Sequence, residues 1–163
     1  MKRMRLLVGY MIIFLSSAMV LSAQNGFDRA AFYDAMSKKN LEQVNGQLAI
    51  VGKTSITEKQ AFEGALIMKK AGLISGAGKK LNTFKDGARK LEASLQKDSG
   101  NAEYRFLRLM IQENAPGILG YKDDLKKDSE YLRKNFKSLP QEAKDAVIDY
   151  SKNSKILRSE DFN

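Results

Sequence analysis

A chain of 163 residues carrying 28 lysines and arginines against 19 carboxylates, with no histidine and no cysteine, is long enough to build one self-sufficient hydrophobic core. It is barred from disulfides, from lipid attachment at a processed cysteine and from the usual zinc ligand sets. The commonest general base and the commonest nucleophile outside serine are missing, so catalysis would fall to carboxylates, lysine or tyrosine.

Lys2, Arg3 and Arg5 precede an apolar run from Leu6 to Leu21, interrupted by Gly9, Tyr10, Ser16 and Ser17, and Ser22-Ala23-Gln24 follows. A charged start, an apolar middle and a small-residue end make residues 1–23 a secretory signal peptide. Cleavage is expected after Ala23, with Ser22 as the near alternative. The unbroken apolar run is short of the roughly 20 residues that a spanning helix needs, which disfavours an uncleaved anchor. The processed chain, residues 24–163, is expected in the periplasm or outside the cell, with no transmembrane span. Its net charge is +6 once the three basic residues of the signal are removed. In that compartment the available anions are lipid headgroups, anionic glycans and acidic proteins rather than nucleic acid, and a charge of this size also keeps small domains soluble.

No segment alternates apolar and polar residues over a useful length, while helical spacing recurs from end to end. The expectation is a single all-α domain over 24–153, about seven helices in antiparallel hairpins, with a tail over 154–163 whose Ile156, Leu157 and Phe162 can pack back. Phe27, Ala30, Ala31, Tyr33 and Met36 mark a first helix ending near Lys39, and Asn40 caps a second through Leu41, Val44, Leu48 and Val51, stopped by Gly52. Thr54 or Thr57 caps a third, Thr57 and Gln60 standing in capping-box spacing. Its core face is Phe62, Ala65 and Leu66, and Gly72 is its stop. A loop over residues 73–78 leads to a fourth helix with Leu81, Phe84, Ala88, Leu91 and Leu95 on one face, and Asp98-Ser99-Gly100-Asn101 is a turn.

The fifth helix, from Glu103, is apolar nearly all round, through Tyr104, Phe106, Leu107, Leu109, Met110 and Ile111, which predicts a rod buried on several sides. Pro116 ends it and Gly117 supplies the turn. Asp123 or Asp124 starts a sixth helix with Leu125, Leu132 and Phe136 inward. Ser138-Leu139-Pro140-Gln141 offers a capping serine, an early proline and a capping-box glutamine for a seventh, which carries Ala143, Ala146, Val147 and Tyr150.

The run Gly87-Ala88-Arg89-Lys90-Leu91-Glu92-Ala93-Ser94-Leu95, a polar turn and Asn101-Ala102-Glu103-Tyr104 resembles the second helix of a tetratricopeptide repeat passing into the next, and Phe62-Glu63-Gly64-Ala65-Leu66 resembles an earlier small-residue crossing. The resemblance covers about residues 58–112. Ser99 stands where that family has proline, the loop before Lys79 is long, and no regular 34-residue period is present. It implies a helical-hairpin solenoid, with an irregular helical bundle as the alternative, and by analogy a protein-binding role. A second resemblance, at Glu103-Tyr-Arg-Phe-Leu-Arg, Gln112-Glu113-Asn114-Ala115-Pro116 and Leu119-Gly120-Tyr121, is to small secreted proteins of Bacteroidota type and brings no activity with it.

Among the carboxylates, Glu103, Glu113, Asp123, Asp124 and Asp128 are the candidates for acid–base work, but nothing places two of them across a cleft. No catalytic residue, metal ligand or cofactor is assigned. Gly76-Ala77-Gly78-Lys79-Lys80 fails as a phosphate loop, because the glycine spacing is wrong, no serine or threonine follows the lysine and no strand precedes it. Two constellations remain. Arg105, Arg108 and Gln112 form the polar strip of the rod, able to hold a carboxylate or phosphate, or else paired with Glu113 or with acids of the following helix. Lys69, Lys70, Lys79, Lys80, Lys85, Arg89 and Lys90 are opposed between residues 69 and 90 by Asp86 alone. They form either a solvated face or a docking surface for an acidic protein, an anionic glycan or headgroups. The leading expectation is a non-enzymatic protein–protein interaction module, and the alternative is an electrostatic binder of anionic ligands or membrane surface through residues 69–90.

Overall fold

Three helix starts along this chain are set by short polar side chains that take over orphan N–H groups. Asp28 accepts from the Ala31 N–H and opens α1 (Arg29–Ser37), Asn40 accepts from Gln43 and opens α2 (Leu41–Lys53), and Asn101 accepts from Glu103 and Tyr104 to open α5 (Ala102–Asn114), each a side-chain N-cap. The remaining helices are α3 (Lys59–Leu73), α4 (Ala77–Lys97), α6 (Leu125–Asn135) and α7 (Gln141–Ser151), with short 3-10 turns at Gly117–Leu119, Phe136–Ser138 and Ser159–Phe162. This computed structural model describes residues 26–162, and the expected signal peptide with its cleavage site lies outside them. Among the described residues the fold is all helical, a seven-helix bundle without strands.

α5 is the rod of the bundle. Every residue from Ala102 to Gln112 is buried, because helices meet it on several sides. α6 packs along it, α3 and α4 touch it, Tyr33 of α1 stacks near Phe106 at 5.7 Å, and Tyr150 of α7 meets Phe106 edge-on at 5.8 Å. A run of rings continues the core outward, with Phe32 and Phe62 at 4.5 Å and Phe27 and Phe62 at 5.1 Å.

The most extensive helix contact is the antiparallel hairpin of α3 and α4, which closes on two glycines. A Cβ on Gly64 would lie 2.7 Å from the Leu91 nitrogen and 2.8 Å from the Gly87 carbonyl oxygen, and one on Gly87 would lie 2.6 Å from the Gly64 oxygen. The two backbones touch, and neither position has room for a side chain. The tail folds back as expected. Leu157 and Phe162 are buried, Phe162 meets Phe136 at 4.9 Å, and Arg133 reaches Asp161 at 2.8 Å and the Ile156 carbonyl at 2.7 Å.

Several element ends differ from the sequence reading, each for a local reason. Thr57 does not cap α3: the preceding residue is Glu58, in helical conformation with no side-chain cap, and Thr54 instead donates to the Val51 carbonyl at the end of α2. α2 runs one residue past Gly52, to Lys53. Gly72 lies inside α3, which runs to Leu73, and the loop shrinks to residues 74–76 with the reversal at Gly76, where φ is +89°. Gly78 therefore belongs to the first turn of α4. Leu81, expected on the core face of that helix, is 39% exposed, because α4 overhangs the body before Phe84. Ser138 is no cap, since its hydroxyl donates to the Asn135 carbonyl within a 3-10 turn. α7 opens after Pro140, and Gln141 donates to Asp145. After α5 the left-handed residue is Gly120, at φ +59°, and not Gly117.

Candidate functional site

The polar residues of α5 sit inside the bundle, and each face of the rod solves its charge problem differently. Arg105 and Arg108, one turn apart, converge on Asp128 of α6, whose side chain is 0% exposed. Arg105 Nη1 donates to Asp128 Oδ1 at 2.8 Å, while its Nε and Nη2 donate to the Ser99 carbonyl at 2.9 and 2.7 Å. Arg108 forms a fork on the same carboxylate, Nε to Oδ2 at 2.7 Å and Nη2 to Oδ1 at 2.9 Å, and its Nη1 reaches Glu92 at 2.8 Å and Asp124 at 3.1 Å. Burial works against the Arg108 charge, but the hydrogen bonds and charge of Asp128, then Glu92 and Asp124, outweigh it and raise its pKa. The Tyr131 ring lies 4.4 Å under the Arg105 guanidinium, a cation–π contact.

Of the two readings of the strip, ligand holding or pairing, the guanidinium groups of Arg105 and Arg108 follow the second and are spent on the α5–α6 interface. Of the two expected pairings, acids of the following helix are found and Glu113 is not. Glu113 accepts from the Tyr150 hydroxyl at 2.8 Å, the Ser154 hydroxyl at 2.7 Å and the Lys155 N–H at 2.6 Å, fastening the tail. Gln112 is 2% exposed, and its Oε1 has no partner among the described residues.

At the start of the rod Glu103 accepts from Arg29 Nε and from the Tyr33 hydroxyl, both at 2.9 Å, while Arg29 Nη2 also reaches Glu58 at 3.0 Å. Burial raises the Glu103 pKa against the pull of Arg29 and Tyr33, and burial together with Glu103 raises that of Tyr33 well above the ordinary value. Of the acids considered for catalysis, Glu103, Glu113, Asp124 and Asp128 are thus bound into these networks, and Asp123 is exposed. A groove of about 290 Å³ between α1 and α7 is lined by Tyr33, Asp34, Glu142, Asp145, Asp149 and Tyr150, among others. Its acids are partly engaged by neighbours, Asp34 with Lys38 and Gln43 and Asp149 with Lys152. Among the described residues no group of acids is arranged to hold a metal ion.

The basic run behaves differently from one end to the other. Lys90 donates to Glu63 of α3 at 2.7 Å, and Arg89 pairs with Asp86 on the exposed side of α4. Lys69 is half-buried, and burial, then the charge of Lys39, lower its pKa. Lys70 is half-buried as well. That leaves Lys79, Lys80 and Lys85 exposed and without an ion pair among the described residues. Lys79 and Lys80 stand on the overhanging turns of α4 and Lys85 just past Phe84.

Sequence reasoning missed what lies next to them. Tyr121 packs edge-on against Phe84 at 5.3 Å and donates its hydroxyl to Glu92, tethering the 115–122 segment to α4. At the crest of that segment Ile118 is 95% exposed, and Lys122 is exposed too. An isolated isoleucine in a Pro-Gly turn carries no signal in sequence; the Tyr121–Phe84 contact supplies its location. No family model, no curated protein and no solved structure matches the chain. No helix among the described residues is long and apolar enough to cross a membrane.

Proposed function

We propose that this protein is a non-enzymatic helical binding module, secreted or periplasmic, that docks through the α3–α4 end of its bundle. The observation that carries the reading is an asymmetry in how charges are satisfied. Carboxylates and tyrosines along the rod are consumed by one another and by arginines, whereas, of the exposed lysines without an ion pair among the described residues, Lys79, Lys80 and Lys85 cluster on the first turns of one helix. Chemistry by carboxylates needs a poised group facing a cleft with room for a substrate. Electrostatic docking needs only clustered, accessible charge of one sign.

Of the two partner classes, a protein seated in an apolar groove and an anionic ligand or surface at residues 69–90, the uncompensated lysines support the second. The groove between α1 and α7 sets Ala30, Met110 and Ala146 beside Asp34, Glu142, Asp145 and Asp149, so a partner seated there would have to answer four acids as well as an apolar floor. The close glycine crossing of α3 and α4 is what a tetratricopeptide-like hairpin would share, by analogy alone.

The test compares the mature chain with a Lys79→Glu/Lys80→Glu/Lys85→Glu variant on anionic and neutral matrices at low and moderate salt. All three sites are exposed, so the variant keeps its fold. Retention on the anionic matrix that disappears with the variant and with salt is expected. An envelope protein held equally by both baits at both salts would replace this reading with the apolar one.

A further inference from the structure

We propose that the partner met by this end of the molecule is an anionic lipid surface, with Ile118 as the side chain that enters it. The inference rests on the docking reading above and adds its chemical class.

Three observations converge. First, Ile118 is held out rather than left loose: Leu119 beside it packs partly into the core, Gly120 closes the turn in the left-handed region, and Tyr121 is fixed between Phe84 and Glu92. An apolar side chain held 95% in water keeps its burial free energy in reserve for whatever covers it. Second, the Tyr121–Phe84 contact ties the segment that carries this crest to α4 where its overhang begins, and Leu81, one turn before Phe84 on the same face, is itself 39% exposed. Third, basic side chains outnumber acids on these two segments: Lys79, Lys80 and Lys85 from α4 and Lys122 after the crest are exposed without an ion pair among the described residues, against exposed Asp123 and the Asp86 that Arg89 engages. The N-terminus of α4, which has no side-chain cap, adds the positive end of its dipole.

The occupant follows from that pairing of chemistries. A soluble polyanion is recognised by lysines alone and gains nothing from an isoleucine in water. A bilayer rich in acidic lipid offers headgroup charge at the surface and an apolar layer just beneath it, which is what basic residues around an apolar tip recognise. A second copy of the chain would need a broader apolar face. Ile50, Leu81 and Ile118 are the large apolar residues exposed among the described residues, far less than a stable interface buries. One inserted isoleucine and four lysines make the attachment reversible and sensitive to salt.

The experiment is co-sedimentation of the mature chain with phosphatidylcholine vesicles, with and without phosphatidylglycerol, at low and moderate salt, beside binding to dextran sulfate. Its variants are Ile118→Asp and Lys79→Glu/Lys80→Glu/Lys85→Glu, and circular dichroism checks that each stays folded. We expect binding to the acidic vesicles only. Ile118→Asp should weaken it at least about tenfold while leaving dextran sulfate binding nearly unchanged, and the lysine variant should abolish both. Acidic-vesicle binding unchanged by Ile118→Asp would overturn the inference, as would dextran sulfate binding without vesicle binding; in either case the electrostatic reading would stand. Loss of binding to every anionic probe would remove both. A dimer dissolved by Ile118→Asp in sedimentation velocity would also overturn the inference, assigning the crest to a second copy.

Discussion

Asp128 is the residue on which the α5–α6 interface depends. Its carboxylate receives three hydrogen bonds from two buried guanidinium groups, and removing it leaves Arg105 with the Ser99 carbonyl but no counter-charge and takes the buried fork from Arg108, which keeps only Glu92 and Asp124. Asp128→Ala should therefore cost about 3–5 kcal/mol in urea unfolding. Replacing Arg105, Arg108 and Asp128 together with apolar residues of similar volume should be close to neutral, since a buried ion cluster is weak evidence of net stabilisation. If the triple replacement were as damaging as the single one, the cluster would be doing something other than filling the interface. The two arginines were legible in the sequence as a pair one turn apart on an apolar rod. Asp128 as their common partner was not, because it lies 23 and 20 residues on and comes alongside only once α6 has folded back over α5.

At the scale of helices, the apolar circumference of α5 announced its burial, and the Pro116 stop and the Asn40 cap were legible because their causes are local. The Ser138 cap failed because its hydroxyl found a nearer carbonyl, and the Thr57 cap because Glu58, in helical conformation, takes the position before α3. Gly72 and Gly78 misled for a different reason: glycine permits a break and does not impose one, and Gly76 alone between these helices takes the positive φ that makes the reversal. Gly64 and Gly87 serve another purpose, backbone contact. Gly87→Ala sets a methyl 2.6 Å from the Gly64 oxygen and 2.8 Å from the Met68 nitrogen, and the hairpin must open to take it. The expected loss is about 1–3 kcal/mol, against a gain in helix propensity of about 1 kcal/mol. Gly46→Ala in α2, with nothing within 4 Å of its new methyl, should instead stabilise by roughly 0.5–1 kcal/mol. Thermal melts of the two variants should move in opposite directions.

Taken whole, the molecule is closed to alkali until it unfolds. Burial raises the pKa of Tyr33, Tyr121 and Tyr150, each with a carboxylate partner reinforcing it, and pushes Tyr104 up to about 12. These phenols stay protonated in the native state after their unfolded counterparts begin to ionise near pH ~10. Above that pH the unfolded chain binds fewer protons than the native one, so stability is full below it and falls as pH rises through the raised values, by up to about 1.4 kcal/mol per pH unit for each tyrosine. Tyrosinate absorbance from these four phenols should appear together with the loss of helical circular dichroism; their ionisation well ahead of unfolding would contradict the burial. The basic excess was visible in the sequence, but its division into spent and free charge, like the position of Ile118, depends on which helices meet. That division bears on compliance. Beyond the Gly64–Gly87 crossing α4 is clamped along its length, whereas the overhanging turns before Phe84 have little of the bundle to hold them. The crossing acts as a fulcrum, and the helix end that meets the outside can bend or fray to match a contour without disturbing the rod behind it.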